Sequence, residues 1–534
     1  MSSAVAGELR CDLLVAGGGI NGAAIARDAA GRGLSVILCE QDDLASHTSS
    51  ASTKLIHGGL RYLEHGEIGL VRKALQERQL LLRTAPHLVR PLRLVLVHDD
   101  TMRPAWVLWS GLWLYDILAG RSDLPASRRV DLASHPAGQA LKAGYRIGFE
   151  FSDAWTDDAR LVVTVAIDAR DKGARIFTRT RLTRAQRDGL TWVADAARSD
   201  RSEVRIFAKA LVNATGPWAG RFLQDVCAAG SARRLRLIKG SHLVVRRRLG
   251  HRFAYVLQSA DRRIAFAIPY EDEFMLIGTT DVEVHQEPAF ALRAPASALR
   301  ATAGESAGEP AAARIDAAET DYLCGLANRY LKEPIGPADI AWTFSGVRPL
   351  LDDGAGPSEL TRDYALELDQ AGAPLLTVWG GKVTTFRTLA EQAVDQLAPV
   401  LACTRGGWTR SALLPGADLP LKRPGEEPMA GFFAALSARY DWMPPGVLQR
   451  MTWAYGSGVL GALGSARRLA DLGEPIADGL YEAELEYLVT REWAVRADDV
   501  LWRRSKLGLH LSAEGQRRVA DWLERRVRTA GVEA

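Results

Sequence analysis

A glycine-rich segment near the N-terminus has the spacing of a dinucleotide-binding turn. Gly17, Gly19 and Gly22 satisfy the pattern GxGxxG directly after an apolar run, and Glu40 closes the next apolar run. In such a turn the glycines permit a tight bend, close approach of a pyrophosphate and close packing of helix on strand. The first N–H groups of the following helix can hold phosphates, and the acidic residue can accept from ribose hydroxyls. The spacing predicts a dinucleotide site, although it does not distinguish NAD from FAD.

A polar loop after the predicted ribose carboxylate favours FAD over NAD as the cofactor. Residues 47–63, HTSSASTKLIHGGLRYL, combine Ser and Thr hydroxyls, a lysine, a histidine and paired glycines. A nicotinamide enzyme rarely has such a loop here, whereas hydroxyl and N–H groups can bind the polar edges of a flavin without adding a redox-active group. Taken alone, the loop would more often be ordinary surface. Its position after Glu40 therefore carries the interpretation.

The composition argues against several other functions. The chain has 534 residues, with 67 Lys and Arg against 64 Asp and Glu, and this balance gives no reason to expect nucleic acid as a partner. Five cysteines lie far apart without a CxxC pair, which argues against a zinc site and a disulfide framework and favours a reducing cytosol. We therefore expect no metal and a cytoplasmic protein.

The patterning predicts the elements that position these residues. A chain of this length should hold two or three domains. Residues 11–40 are typical of strand, glycine turn, helix and strand, and residues 234–280 alternate as in an antiparallel sheet with one covered face. From about residue 405 the pattern becomes helical. Residues 293–316, rich in Ala, Gly, Pro and Glu, predict a flexible surface insertion.

Shorter patterns predict the remaining elements of the first half. We expect a helix over residues 70–83, a short strand over 93–97 and a helix running into a strand over 161–177. The N-terminus lacks the pattern of a signal peptide. No run reaches the roughly 18 apolar residues needed to cross a bilayer, so we expect any membrane contact to be peripheral.

One apolar helical segment is a candidate for that contact. Residues 104–120, PAWVLWSGLWLYDILAG, include Trp106, Trp109 and Trp113. Tryptophan suits both a protein core and a membrane interface. The sequence favours burial of these three side chains in the core over contact with lipid.

Long stretches of the chain resemble the aerobic, flavin-dependent glycerol-3-phosphate dehydrogenases. They run in order along almost the whole chain and include GGGINGAAIARDAAGRGLSV, SSASTKLIHGGLRYLEHGE, LVNATGPWAG, RLIKGSHLVV, WTFSGVRPLLDD and VWGGKVTTFRTLAE. The resemblance implies an α/β fold with an FAD-binding Rossmann-like domain of the glutathione-reductase type, an antiparallel β-sheet substrate domain and a helical C-terminal cap. The implied FAD-binding domain is discontinuous, with residues 1–90, 150–230 and 345–400. The substrate domain takes 91–149 and 231–344, and the helical domain takes 405–534.

The cofactor that the resemblance implies is non-covalently bound FAD. The polar loop would follow its pyrophosphate and isoalloxazine, and the turn at 213–218 would touch its adenine side. N–H groups of the helix opened by residues 380–385 would stabilise the negative charge that grows on the reduced flavin. For either turn alone, ordinary helix-start chemistry is the alternative. The implied FAD residues are Gly17, Gly19, Ile20, Asn21, Gly22, Glu40, Gln41, Thr48, Ser49, Ser52, Lys54, Leu55, His57, Gly58, Gly59, Ala214, Thr215, Gly216, Trp218, Gly381, Lys382, Val383, Thr384 and Thr385.

The resemblance also implies a substrate site with cations for a phosphate. Arginine suits a phosphate because its planar guanidinium donates two parallel hydrogen bonds. The implied residues are Arg61, Arg348 and Arg362 as cations, with Tyr62 and Lys382 as hydrogen-bond donors.

Two histidines are candidates for the base that takes the hydroxyl proton, because imidazole accepts a proton near neutral pH. His242 in KGSH is favoured over His57 in IHGG, since His57 could instead support the flavin ring. Arg348 is grouped with them as a catalytic residue. A purely structural role is the alternative for each histidine.

The expected reaction is oxidation of sn-glycerol 3-phosphate to dihydroxyacetone phosphate by hydride transfer to FAD. The resemblance implies that the electrons pass to ubiquinone at the inner face of the cytoplasmic membrane, where the protein would bind peripherally, and it implies a homodimer. Three alternatives stay open: a glycerol-3-phosphate oxidase that reduces O2 to H2O2, a non-catalytic FAD-binding protein and a nicotinamide dehydrogenase.

Overall fold

Two β-sheets with helices packed against them precede a helical C-terminal region. The structure, a computed structural model, describes residues 7–99, 101–259, 263–284, 313–352, 363–419 and 427–530. Within these ranges the strands are β1 Glu8–Ala16, β2 Val36–Cys39, β3 Leu55–Ile56, β4 Val89–Val97, β5 Arg128–Asp131, β6 Ile147–Thr156, β7 Arg175–Phe177, β8 Thr180–Asp188, β9 Thr191–Arg198, β10 Glu203–Asn213, β11 Leu235–Val245, β12 Ala254–Gln258, β13 Ile264–Tyr270, β14 Phe274–Gly278, β15 Val282–Val284, β16 Ile340–Leu351, β17 Ala365–Asp369, β18 Leu375–Trp379, β19 Pro475–Ala477 and β20 Leu480–Tyr481. The α-helices are α1 Ile20–Gly31, α2 Ile68–Thr84, α3 Ala105–Ala119, α4 Asp158–Asp171, α5 Ala219–Arg221, α6 Ala317–Tyr330, α7 Phe386–Leu397, α8 Pro428–Arg439, α9 Pro445–Tyr455, α10 Val459–Leu463, α11 Glu482–Glu492 and α12 Ala513–Ala530.

The first sheet has eight strands and a parallel centre. The parallel strands lie in the order β18, β10, β1, β2 and β7, with β17 antiparallel at one edge and the β8–β9 hairpin antiparallel to the start of β10. Leu13 and Val15 of β1 pack in the core formed with α1, α4 and α7, whereas Leu14 packs in the core on the hairpin side. Because both faces are covered, the central strands are almost continuously apolar.

The second sheet has ten strands. Its order is β15, β11, β14, β13, β12, β4, β6 and β3, with β16 paired to β11 and β5 to β6. Every recorded pair is antiparallel except β12 with β4, which is parallel. Residues of α6 share one apolar core with the sheet, and residues of α2 and α3 share another. The second sheet is thus covered by helices on both faces.

The C-terminal region contains α8 to α12 and the short β19–β20 hairpin. Phe432, Leu448, Leu485 and Trp522 belong to an apolar cluster built within this region. The region therefore has a core of its own.

The predicted fold class is confirmed. The predicted βαβ unit is β1, α1 and β2, and residues 234–280 supply β11 to β14. Residues 150–156 and 345–351, however, belong to strands of the second sheet. The division into domains stays a prediction. Residues 293–312 of the predicted insertion lie outside the described residues.

The prediction that the tryptophans of α3 are buried in the core is wrong. The exposed fractions are 72% for Trp106, 40% for Trp109 and 60% for Trp113. Only Leu112 and Tyr115 of this helix are buried. Because α3 is apolar almost all round, its sequence has no periodicity that reveals which face is covered. Among the described residues, no helix is long and apolar enough to cross a membrane.

Candidate active site

A cleft lies at the carboxyl ends of four strands of the first sheet. β1, β2, β10 and β18 end at Ala16, Cys39, Asn213 and Trp379, and the segments that follow them line the cleft. Its empty volume, including space open to solvent, is about 1030 Å³. Ligands of open α/β sheets bind at this edge. The topology thus brings together turns that are far apart in the sequence.

The turn after β1 has room only for glycine. Gly17 has a φ of +108°, and a Cβ there would lie 2.6 Å from the carbonyl oxygen of Ala214. A Cβ at Gly22 would overlap the carbonyl oxygen of Gly17. Helix α1 begins at Ile20, whose N–H donates to Ser49 Oγ at 3.0 Å, and Gly19 gives the helix no side-chain cap. The cleft therefore contains a helix N-terminus that can hold phosphate oxygens.

The carboxylate after β2 is buried against this turn. One oxygen of Glu40 accepts the N–H of Gly18 at 2.6 Å, and the other accepts the N–H of Asp42 at 2.9 Å. Burial raises the pKa of Glu40. Glu40 and Gln41 both line the cleft. A carboxylate in this position can accept from the ribose of a dinucleotide.

Fourteen of the predicted FAD residues line the cleft. They are Gly17, Gly19, Ile20, Asn21, Glu40, Gln41, Thr48, Ser49, Ala214, Thr215, Gly216, Trp218, Gly381 and Val383. Asn21 Nδ2 donates to the carbonyl oxygen of Gly380 at 3.2 Å and so ties the turn after β18 to α1. Asn21 Oδ1 is buried and has no hydrogen-bond partner among the described residues. It is an acceptor that a ligand in the cleft can use.

The next part of the polar loop is held by a buried carboxylate. Ser52 Oγ donates to one oxygen of Asp158 at 2.7 Å, and Lys54 Nζ donates to the other at 2.7 Å. The side chains of Lys54 and Asp158 are 1% and 0% exposed. Leu55 packs in the core of the second sheet. These residues anchor the loop, and their contact with FAD stays a prediction.

The paired glycines join the loop to α3. The N–H of Gly58 donates to the hydroxyl of Tyr115 at 2.8 Å. The ring of the neighbouring His57 lies 6.5 Å from the ring of Phe266, measured between centroids. Helix α3 is therefore joined by one hydrogen bond to the segment that contains His57, a candidate base.

Two predicted substrate residues meet beyond these glycines. Gly59 has a φ of +77° and leaves space for the ring of Tyr62. Lys382 Nζ lies 4.0 Å from the centroid of that ring, a cation–π contact. Thr384 and Thr385 are buried just before α7. Residues 62 and 382, more than 300 positions apart in the sequence, thus share one site.

One face of the β11–β16 pair carries His242 and Arg348. Directly opposed residues of antiparallel strands share a face, and His242 lies opposite Phe344 while Gly240 lies opposite Gly346. Arg348 lies two residues further along the same face. A Cβ on Gly240 would overlap the guanidinium of Arg348. Glycine therefore makes room for the charged group.

His242 is fully buried. Its Nε2 lies 3.0 Å from Thr53 Oγ1, and its ring stacks on Phe344 with centroids 4.6 Å apart. Burial, together with the charges of Arg348 and Lys54, holds the pKa of His242 well below its ordinary value. Its Nδ1 has no hydrogen-bond partner within the described ranges. A neutral imidazole can accept a proton, and a nearby anion would stabilise the charged product.

Arg348 is oriented by two partners beside the cleft. Its guanidinium donates to Asp281 Oδ1 at 2.5 Å and to Thr279 Oγ1 at 2.8 Å. The next residue, Pro349, lines the cleft. Arg61, by contrast, has no ion pair among the described residues. Arg362 lies outside the described residues.

Sequence reasoning missed several residues of this site. The cleft is also lined by Ala45, Ser46, Thr180, Arg181, Leu182, Phe222 and Pro349, and by His47 and Pro217, which lie within the predicted loop and turn but were not named as FAD residues. Residues 180–182 start β8, and no local motif marks them because the fold brings them to the cleft. Thr53 and Asp281 could have been found, since each lies within or beside a polar stretch that the pattern singles out, STK and TTD.

Comparison with known proteins identifies the family. Residues 12–387 match the model of the FAD-dependent oxidoreductases. The chain belongs to the FAD-dependent oxidoreductase family. Its cofactor is FAD, and the glycine turn, the N-terminus of α1 and Glu40 fit a dinucleotide of this kind.

Relatives of this flavoprotein match it over nearly their whole length. Over 96% of the chain it is 48% identical to a glycerol-3-phosphate dehydrogenase of Pseudomonas aeruginosa, of which 95% is covered. It is 45% identical to the D-erythritol 1-phosphate dehydrogenase of Brucella abortus and 45% identical to the aerobic glycerol-3-phosphate dehydrogenase of Escherichia coli, again over 96% of the chain, with 98% and 97% of those proteins covered.

A solved structure shows the same fold. The glycerol-3-phosphate dehydrogenase from Bacillus halodurans, crystallised with FAD, superposes with a TM-score of 0.73. The two chains are 24% identical, and the match covers 97% of this chain and 95% of the other. The similarity therefore extends to the helical C-terminal region.

Proposed function

We propose that this flavoprotein oxidises the secondary alcohol of sn-glycerol 3-phosphate to dihydroxyacetone phosphate and passes the electrons to ubiquinone. FAD held in the cleft supplies the acceptor for the hydride that leaves C2 of the substrate. The observation that carries the proposal is the position of Arg348, a cation oriented by Asp281, beside the cleft and on the same sheet face as His242.

The remaining roles of the protein residues are to bind the phosphate and to accept the proton of the hydroxyl. Arg348 binds the phosphate of the substrate, with Arg61, Tyr62 and Lys382 as further donors. His242 takes the proton of the substrate hydroxyl at one of its ring nitrogens. Because burial disfavours the charged imidazole, that form needs a nearby anion, and the substrate phosphate supplies one. The site therefore favours phosphorylated over uncharged alcohols.

Two polyol phosphates compete as substrate. The name of the Brucella abortus relative makes D-erythritol 1-phosphate the second candidate, at 45% identity. The test is to measure kcat/KM, with a dye as electron acceptor, for glycerol 3-phosphate, D-erythritol 1-phosphate and glycerol. The proposal predicts the highest value for glycerol 3-phosphate and a value lower by about a hundredfold or more for glycerol, which lacks the charge-assisted bonds. A preference for D-erythritol 1-phosphate would replace the proposed substrate.

The acceptor is proposed to be ubiquinone in a membrane, with the protein bound peripherally at the cytoplasmic face. Trp106, Trp109, Trp113 and Ile117 follow one another three or four residues apart on α3, and all four are exposed. Residues at this spacing form one stripe on a helix. An exposed stripe of tryptophans suits the interface of a bilayer, where one end of the ring is apolar and the other wet. The α3 stripe is the proposed membrane contact.

Two further expectations accompany this proposal. Reduction of O2 to H2O2 is the alternative fate of the electrons, and the relatives named as dehydrogenases favour the quinone. A homodimer stays a prediction from the family resemblance.

A further inference from the structure

We propose that Arg503 and Arg504 of the C-terminal helical region are positioning residues for FAD, because they hold Asp43 at the base of the loop that lines the cleft. The loop runs from Glu40 to Ser49. This inference depends on the family membership and not on the identity of the substrate.

The contact between the two regions is a buried cluster of charges. Arg503 Nε donates to Asp43 Oδ2 at 2.6 Å, and Arg504 Nη2 donates to Asp43 Oδ1 at 2.7 Å. The side chains of Arg504 and Asp43 are 0% and 1% exposed. Arg504 also donates to the carbonyl oxygen of Glu492, where α11 ends. A carboxylate buried between two guanidinium groups has little freedom to move.

Asp43 is placed where it controls the loop. It follows Glu40 by three residues and precedes Ala45, where the next cleft-lining stretch begins, by two. Its carbonyl oxygen accepts the N–H of Ser46 at 3.2 Å, and Ala45 donates to the carbonyl oxygen of Gly18 at 3.2 Å. The loop is therefore fastened to the glycine turn on one side and to the helical region on the other.

A second link joins the helical region to the start of β8, another part of the cleft lining. Arg179 Nη2 donates to Asp499 Oδ2 at 2.7 Å, while its own backbone N–H donates to the carbonyl oxygen of Asp42. Arg179 directly precedes Thr180, which lines the cleft. Arg503 also donates to Asp499, so the two links share one carboxylate. The loop and the start of β8 thus both depend on residues 499–504.

Loss of Arg504 should therefore act on FAD through the loop. Without Arg504, the buried carboxylate of Asp43 keeps only Arg503 as an ion-pair partner, and its Oδ1 loses a charge-assisted hydrogen bond. Glu40 and Ser46–Ser49 would then be held less firmly, and FAD would have to order them on binding. The dissociation constant of FAD should rise even though Arg504 does not line the cleft.

The test compares two ion-paired arginines of the helical region in the full-length chain. Arg450 pairs with Glu484 at 2.6 Å and 2.7 Å, and both residues lie inside that region. FAD is removed, the Kd of FAD is measured by quenching of flavin fluorescence, and the melting temperature of each FAD-free variant is recorded. We expect Arg504→Met to raise the Kd about tenfold or more, with a smaller rise for Arg504→Lys. Arg450→Met should leave the Kd within about twofold.

The results can overturn the proposal in two ways. An unchanged Kd in Arg504→Met, or equal rises in Arg504→Met and Arg450→Met at similar losses of melting temperature, would show a purely structural role. If Arg504→Met does not fold, Arg503→Met serves instead, since the Arg503 side chain is 17% exposed and contacts the same carboxylate. It should raise the Kd about threefold or more, and an unchanged Kd would reject the proposal. FAD binding requires no substrate, so these results are independent of the proposed reaction.

Discussion

His242 Nε2 lies 3.0 Å from Thr53 Oγ1, and this contact joins the second sheet to the loop that continues from the FAD cleft. Thr53 lies between Ser52 and Lys54, both anchored on Asp158. The hydroxyl therefore has a fixed position and can hold the imidazole in one orientation. Each ring nitrogen, Nδ1 or Nε2, can accept a proton only in the tautomer in which it carries no hydrogen.

Removal of the imidazole should slow the chemical step. We expect His242→Ala to lower the rate of flavin reduction by about a hundredfold or more, while the Kd of substrate, bound mainly through its phosphate, changes far less. Rapid-mixing absorbance under anaerobic conditions gives both quantities. Thr53→Val, which keeps the imidazole but removes its partner, should show a smaller loss of rate. Normal reduction by His242→Ala would exclude this residue as the base.

Arg348 should matter for binding of the phosphate. We expect Arg348→Ala to raise the KM for substrate by about tenfold to a hundredfold, the usual size of a lost charge-assisted hydrogen bond. Asp281→Asn should produce part of this effect, because the guanidinium loses its orienting partner. Arg329, paired with Asp99 at 2.8 Å and exposed to a similar degree, is the matched control. If Arg329→Ala and Arg348→Ala raise the KM equally, Arg348 is not a phosphate ligand.

Stability should fall in mild acid because of His87. Burial and the charge of Arg160 lower the pKa of His87 to about 3, against an ordinary value of 6.5. Between these two values the unfolded chain binds a proton that the folded chain does not, so the free energy of unfolding decreases as the pH falls below 6.5. The expected slope from one such group is about 1.4 kcal/mol per pH unit. Above pH 6.5, the ordinary pKa, the contribution of His87 to the free energy of unfolding no longer changes with pH.

The measurement is urea unfolding followed by circular dichroism between pH 7 and pH 5, with FAD in excess. The variant His87→Gln cannot titrate in this range, so its free energy of unfolding should depend less steeply on pH than that of the natural chain. Parallel pH profiles for the two proteins would show that His87 makes no contribution.

The α3 stripe should bind membranes. Trp106→Gln with Trp113→Gln removes two of its most exposed rings, and we expect the fraction of protein that sediments with vesicles of anionic lipid to fall several-fold, by about 1 kcal/mol or more of binding free energy. Leu190→Gln is the control, because Leu190 is 79% exposed on the β8–β9 hairpin, away from α3. An equal loss in the control, or none in the double variant, would contradict the assignment.

Local patterns were sufficient to predict the parts of the site that a single segment builds. The glycine turn, Glu40 and the start of α7 depend on neighbouring residues, and the structure has them where the spacing predicts. Ion pairs and hydrogen bonds that join distant segments could not be read in this way. Lys54 shows the difference, since its buried partner Asp158 lies 104 residues further along the chain.

The exposure of individual side chains was the second property that the sequence could not predict in full. A helix with a clear apolar stripe shows which side is covered, and residues 70–83 accordingly lie within α2. In α3 nearly every position is apolar, so burial of Leu112 and exposure of Trp113 follow from tertiary packing alone. The same holds for residues 180–182, which reach the cleft because β7 ends beside β2 and the N–H of Thr180 donates to the carbonyl oxygen of Glu40 at 2.7 Å.

The most direct test of the proposed function is anaerobic addition of glycerol 3-phosphate to the FAD-loaded protein while the visible absorbance of oxidised flavin is followed, and then addition of either air or a short-chain ubiquinone. The proposal predicts that the band bleaches and that ubiquinone restores it faster than air. Absence of bleaching would contradict the proposed substrate, and faster recovery in air would contradict the proposed acceptor.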